Sequence, residues 1–411
     1  MDAHAFMFYI MPIGLMALPG MILSAGIVGG VMLLATNILT DLNWTLSLCL
    51  LFGCLISATD PVAVVALLEE LGAPLSLKTM IEGESLANDG TAIVLFTVLM
   101  EWYKNHVCLN FETKLVECKE IKLWLLLIKT VGMSVLSVVF GYTLGVFVVW
   151  LLQRSFDNVK KELGVLLFIN YFVFVFCETI KGSGVLGIVS LGLSIGDRRS
   201  VLSPETTTEI HRLWGFLAYW GNSIIFILSG IVIGSSLEQA DFDRLNELLV
   251  GLTAYILSLE SRSIVVILLA FIAKAKCSAI TKNMQSVPKR MFFIMSWSGL
   301  RGAVSLLLAM QLAQHDFHVN FGSTHPTVLK WNQQVLLCTG VTVLLGLMIQ
   351  GTTSEVLMEK MHVNKRSYFK RKRLRVRTDY LRFEFLDNVL NKMQTDRRYY
   401  FLAGANWNMV K

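Results

Sequence analysis

Leu55-Ile56-Ser57-Ala58-Thr59-Asp60-Pro61-Val62-Ala63-Val64 sits inside one long apolar run, residues 44–71, and decides the fold. Pro61 removes a backbone donor and disrupts the turn before it. Asp60 brings a carboxylate to the middle of the run, at a cost of about 2.5–3.5 kcal/mol on insertion scales. Irregular backbone at membrane depth survives only where protein buries it or where it lines a wet cavity. The stretch therefore predicts a broken helix at a binding site, as secondary transporters build them. The plainer reading is a proline kink with a snorkelling aspartate, but Asp60 is too central to reach an interface.

The next apolar segment carries the complementary chemistry in Ile81-Glu82-Gly83-Glu84-Ser85-Leu86-Ala87-Asn88-Asp89-Gly90. At 100° per residue, Glu82, Glu84, Ser85, Asn88 and Asp89 share an arc of about 160°. One helix face thus holds carboxylates, a hydroxyl and an amide, all hard oxygen ligands or proton acceptors of the kind that Na⁺ and H⁺ require. A solvated surface helix does not explain them, because Thr91 to Leu99 continues apolar. Cationic partners lie far along the chain. Arg262, beside Glu260, is mid-segment, and Arg301 sits in Ser296-Trp297-Ser298-Gly299-Leu300-Arg301-Gly302-Ala303-Val304-Ser305. Two glycines flanking an arginine predict a second interrupted helix. Two such helices are the mark of an inverted-repeat transporter with a midplane site.

The rest of the chain is built for a bilayer. Of its 411 residues 54% are hydrophobic and 16% charged, with mean hydropathy +0.59, against about 25% charged in a soluble domain. Residues 3–40 contain no Asp, Glu, Lys or Arg, and about 20 apolar residues already cross the hydrocarbon core. Apolar segments fall at about 5–36, 44–71, 77–102, 123–153, 163–180, 183–196, 213–237, 248–273, 290–313 and 333–358, giving ten spans, or nine without the short sixth. This defines a transmembrane domain over 1–358 and a basic, aromatic, helical cytosolic extension over 359–411.

The net charge of +6 is concentrated in Lys365 to Arg377, eight basic residues with no acid, so the expected partner is membrane lipid and not nucleic acid. Loops on the C-terminal side hold twelve Lys/Arg against seven opposite, which places both termini in the cytosol. Cys108 and Cys118 then share an outward loop, either bridged or as two free thiols. The seven cysteines lack metal-ligand spacing, and no zinc-protease motif, P-loop or catalytic pair is present. Gly182-Ser183-Gly184-Val185-Leu186-Gly187 matches a dinucleotide fingerprint in pattern only and reads as close helix packing. The chain is therefore read as a transporter and not an enzyme, with no cofactor and no metal beyond a transported ion.

Ser57 to Val64, Gly83 to Asp89 and Gly299 to Val304 resemble, in that order, the broken helix, the ion-binding helix and the second broken helix of the sodium/proton exchanger family of cation/proton antiporters. Weaker similarity covers most of residues 5–360, and the basic aromatic tail resembles the sperm-specific members. The resemblance implies an all-α polytopic membrane protein with the inverted-repeat antiporter fold, two interrupted crossing helices and thirteen spans. The ten segments here match spans four to thirteen, so three that help form the dimer domain are absent, and the family's homodimer should be weakened. It implies that Asp89 takes Na⁺ or H⁺ in turn, with Asn88, Ser85, Thr59 and Asp60 completing the site, that Glu84 pairs with Arg301, and that Arg262 fills a basic position of the core. Asn222 falls where many relatives have an acid. The expected activity is electroneutral antiport by alternating access, regulating intracellular pH at the plasma membrane, in the flagellum for a sperm protein. A transport-inactive variant associated with full-length partners and a cation channel are the alternatives.

Overall fold

The computed structural model describes residues 3–38, 42–60, 62–70, 75–110, 123–154, 158–196, 198, 201–239, 244–274, 289–314 and 326–361. The basic extension beyond 361, Cys118 and Pro61 lie outside them, as does the side chain of Cys108.

The chain folds as α1 (Ala3–Phe8), α2 (Ile10–Leu15), a π-helical turn (Met16–Gly20), α3 (Met21–Ile38), α4 (Leu46–Ser57), α5 (Val62–Glu70) and α6 (Leu75–Asn110). There follow α7 (Leu123–Arg154), α8 (Val159–Thr179), α9 (Gly184–Gly196), α10 (Pro204–Gln239) and α11 (Arg244–Lys274). The last elements are α12 (Lys289–Trp297), α13 (Ala303–Ala313), α14 (Pro326–Leu345), a second π turn (Gly346–Gly351) and α15 (Thr352–Lys360). Among the described residues six helical stretches are long and apolar enough to cross a bilayer, and α4, α9 and α13 are shorter apolar helices. The multi-pass reading of the sequence holds.

Both interruptions form where the sequence places them. The segment 44–71 divides into α4 and α5 around Ala58–Asp60, and 290–313 divides into α12 and α13 around Ser298–Gly302. Each broken helix stands between continuous neighbours, α3 and α6 in the first set and α11 and α14 in the second. α4 is the axis of the bundle, with ten of its twelve residues buried. Leu48, Phe52 and Leu55 pack there with Met32 of α3, Phe96 and Tyr103 of α6, Ala254 of α11 and Val335 of α14. A smaller core joins α7, α8 and α9 through Leu152, Val173, Cys177 and Leu191. Gly182, Gly184 and Gly187 lie where α7 and α8 close on α9, so the fingerprint-like run is a packing seam.

Several helices begin earlier than their apolar runs. α10 starts at Pro204, nine residues ahead of the expected 213, because its first turn is capped. The Ser203 hydroxyl accepts from the Thr206 N–H at 3.3 Å, and the buried Glu162 carboxylate accepts from the Ser203 N–H at 3.3 Å. Asn158 likewise caps α8, its side chain accepting from the Lys161 N–H. Such caps satisfy the free N–H groups of a first turn and leave no trace in hydropathy. Where the first π turn, which contains Pro19, loosens the helix, Thr91 of α6 donates to the Ala17 carbonyl at 2.9 Å.

Candidate functional site

The site is built where the two interruptions cross. The Asp60 N–H donates to the Leu300 carbonyl at 2.8 Å, so each break supplies a backbone partner to the other. The interruption also frees the last carbonyls of α4, which no longer have an intrahelical donor. Arg301 donates to the carbonyls of Ser57 at 3.4 Å and Ala58 at 3.5 Å, and to that of Ser258 on α11 at 3.1 Å. A guanidinium there also opposes the negative end of the α4 dipole. The flanking glycines are steric necessities. A Cβ at Gly302 would fall on the Asp60 carboxylate, and one at Gly299 would press on the Arg262 side chain.

α6 closes the crossing from one side. The Asn88 amide donates from Nδ2 to the Ser57 carbonyl at 3.0 Å and to Thr59 Oγ1 at 3.2 Å, and the hydroxyls of Thr59 and Ser85 share a hydrogen bond of 3.1 Å. Behind them Ser24, Ser57 and Ser261 form a hydroxyl chain that ties α3, α4 and α11 together.

The ion pair expected between Glu84 and Arg301 forms instead between Glu84 and Arg262. The two carboxylate oxygens of Glu84 each receive one terminal nitrogen of Arg262, Nη2 to Oε2 at 2.6 Å. Arg262 Nε donates to the Met295 carbonyl at 3.3 Å. The reason is backbone chemistry: the carbonyls of Ser57 and Ala58 that the break leaves free, with that of Ser258, engage Arg301, and Glu84 is left to Arg262. Glu84, Arg262 and Arg301 are all buried, and the forked pair gives a charge-assisted, bidentate contact suited to burial.

A cavity of about 260 Å³ opens beside the crossing, lined by Thr59, Asp60, Glu82, Asp89, Asn222 and Ser305 together with small and apolar residues. Asp89 Oδ1 is buried and has no hydrogen-bond partner. Of the residues singled out in the sequence, Asp60, Thr59, Glu82 and Asp89 line this cavity, while Asn88 and Ser85 bond to Thr59 and hold the break in place. Ser305 and Asn222 line the cavity without having been assigned a role from the sequence. Ser305 is one turn beyond Arg301, and Asn222 is an amide in the apolar run of α10 at the position where the sequence resemblance expects an acid.

Two interrupted helices crossing beside buried charges and a carboxylate-lined cavity define the inverted-repeat fold of secondary transporters. The chain belongs to the sodium/hydrogen exchanger family, whose transmembrane model matches residues 1–360. It is 30% identical to the Na(+)/H(+) antiporter NhaP of Pseudomonas aeruginosa, over 87% of this chain and 76% of that one. It is 28% identical to sodium/hydrogen exchanger 8 of Arabidopsis thaliana over 100% of its own length, but spans only 50% of that relative. Among solved structures the fold matches the sodium proton antiporter MjNhaP1 from Methanocaldococcus jannaschii at pH 8, with TM-score 0.67, 18% identity and coverage of 88% of this chain and 81% of that one.

Proposed function

We propose that this chain is the ion-translocating core of a secondary active sodium/proton antiporter working by alternating access. The observation that carries the reading is Asp89, a carboxylate whose buried Oδ1 is unpartnered on a cavity shared with Asp60 and Thr59, at the crossing of two broken helices. Asp89 takes Na⁺ or a proton in turn, Thr59 and Asp60 complete the site, and Asn88 and Ser85 position the break. Glu84, Arg262 and Arg301 hold the frame and do not travel with the ion. Transport is electroneutral and serves intracellular pH. Names given to the relatives support the choice of ions.

Flux in proteoliposomes tests this. An imposed Na⁺ gradient should drive proton movement in the wild-type chain, and Asp89→Asn should abolish it. Uncoupled current through the wild-type chain would point to a channel instead, and absence of any flux to a transport-inactive form. The membrane lipid partner, the cytosolic C-terminus and the sperm-specific affinity rest on the basic aromatic tail. Protease access from each side of the plasma membrane, and expression confined to sperm, test the last two.

A further inference from the structure

The cavity lining also carries polar groups that the exchanger reading does not use. Ser305, in the first turn of α13, is 1% exposed, lines the cavity, and its Oγ has no hydrogen-bond partner. Hydroxyls further into a helix satisfy themselves on a carbonyl one turn back, as Ser57 does on Gly53 and Thr342 on Cys338; Ser305 follows the break and has no such carbonyl before it. Asn222 reaches the same cavity from α10 and is half-buried there. It is the only Asp, Glu, Asn or Gln between Arg212 and Glu238, and intramembrane polar groups of that kind face a cavity or a pathway.

We infer that the transported cation is held by Ser305 and Asn222 as well as by the Asp89 wall, so that its shell is drawn from α13 and α10 together. This rests on the exchanger reading above. A hydroxyl and an amide carbonyl are hard, neutral oxygen donors of the type that alkali and alkaline-earth cations accept. At about 260 Å³ the cavity is larger than the roughly 30 Å³ that one water occupies in the liquid, so it has room for a cation with water. Because both donors are neutral, they add affinity without altering the charge of the loaded site. α10 packs against α13 and α14 and, through its first turns around Ile210, against the α7–α9 group.

The test is the Na⁺ dependence of exchange in proteoliposomes for Ser305→Ala, Ser305→Cys and Asn222→Ala. Ser305→Cys keeps the size and replaces the hard oxygen with sulfur, so it reports on ligation even if the smaller alanine disturbs packing. Each variant should raise the apparent KM for Na⁺ about 3–10-fold, leave the maximal rate within about twofold, and leave the proton dependence at saturating Na⁺ unchanged. Ser305→Thr, which restores the hydroxyl, should return the KM to the wild-type value. Wild-type KM in all three variants overturns the inference, and so does a loss confined to maximal rate. Asp89→Asn run alongside separates the two readings: if it still exchanges, the Asp89 site itself is wrong, whereas its loss beside unaffected Ser305 and Asn222 variants condemns only their part in the shell.

Discussion

Arg262 grips both carboxylate oxygens of Glu84 from 178 residues further along the chain, and both groups are buried. Removing one partner of a buried pair strands the other charge, at a cost of about 3–5 kcal/mol. Arg262→Ala should therefore cut the yield of folded protein sharply, and Glu84→Gln added to it should restore part of that yield. The same Glu84→Gln should not rescue Arg301→Ala, because Arg301 serves carbonyls of Ser57, Ala58 and Ser258. Detergent-solubilised melting temperatures of the single and double variants decide between the pairs. Rescue of Arg301→Ala in place of Arg262→Ala would reverse the assignment.

The change of partner shows where sequence reading stops. Asp60 and the arginine between Gly299 and Gly302 announced two broken helices, since a charge at membrane depth must meet freed backbone groups, a countercharge or water. The face of α6 that bears Glu84, Ser85 and Asn88 followed from helical period alone. Choosing between Arg262 and Arg301 required knowing which carbonyls the breaks leave free, and that depends on how the two breaks cross. The same crossing decides that Ser305 meets the cavity and that Asn88 turns its amide toward Ser57 and Thr59. The early starts of α8 and α10 were invisible for another reason: their first turns are polar and held by caps, which hydropathy does not register.

Gly302 is the contact point of the crossing. A methyl group there overlaps the Asp60 carboxylate, while the Asp60 N–H is tied to Leu300. Gly302→Ala must push Asp60 from the cavity wall or break that backbone bond. Exchange should fall at least tenfold, with far-ultraviolet helicity unchanged. Gly299→Ala meets only the Arg262 side chain, which has more freedom to shift, and should cost less. Equal activity of Gly302→Ala and wild type would mean that the carboxylate position does not matter.

Asn88 joins α6 to the first break through two hydrogen bonds from one amide nitrogen. Each is worth about 0.5–1.5 kcal/mol net, and the Ser57 carbonyl and Thr59 hydroxyl left behind are buried. Asn88→Ala should lower the melting temperature and the Na⁺ affinity together, because the break that presents Thr59 and Asp60 loosens. Asn88→Gln, too long to hold the same geometry, should not restore either property. A variant with weakened Na⁺ binding and unchanged melting temperature would instead make Asn88 a direct ligand.

Stoichiometry follows from how many carboxylates titrate with the ion. The Asn88-Asp89 pair offers one where two adjacent aspartates would offer two. Asp89 holds either a proton or a Na⁺, so the loaded site has the same charge in both directions. Asp60 sits against Gly302 at the start of α13. Glu84 is held by both terminal nitrogens of Arg262. Exchange is therefore expected to be one Na⁺ for one H⁺, and the membrane potential, which contributes about 2.3 kcal/mol per charge for each 100 mV, should do no net work on the cycle. Flux measured in proteoliposomes clamped at several potentials with potassium and valinomycin should be flat. A Na⁺-driven proton flux that steepens with voltage would show that a second carboxylate, Asp60 or Glu82 on the same cavity, titrates with Asp89. Asp60→Asn and Glu82→Gln would then identify it by restoring the flat response.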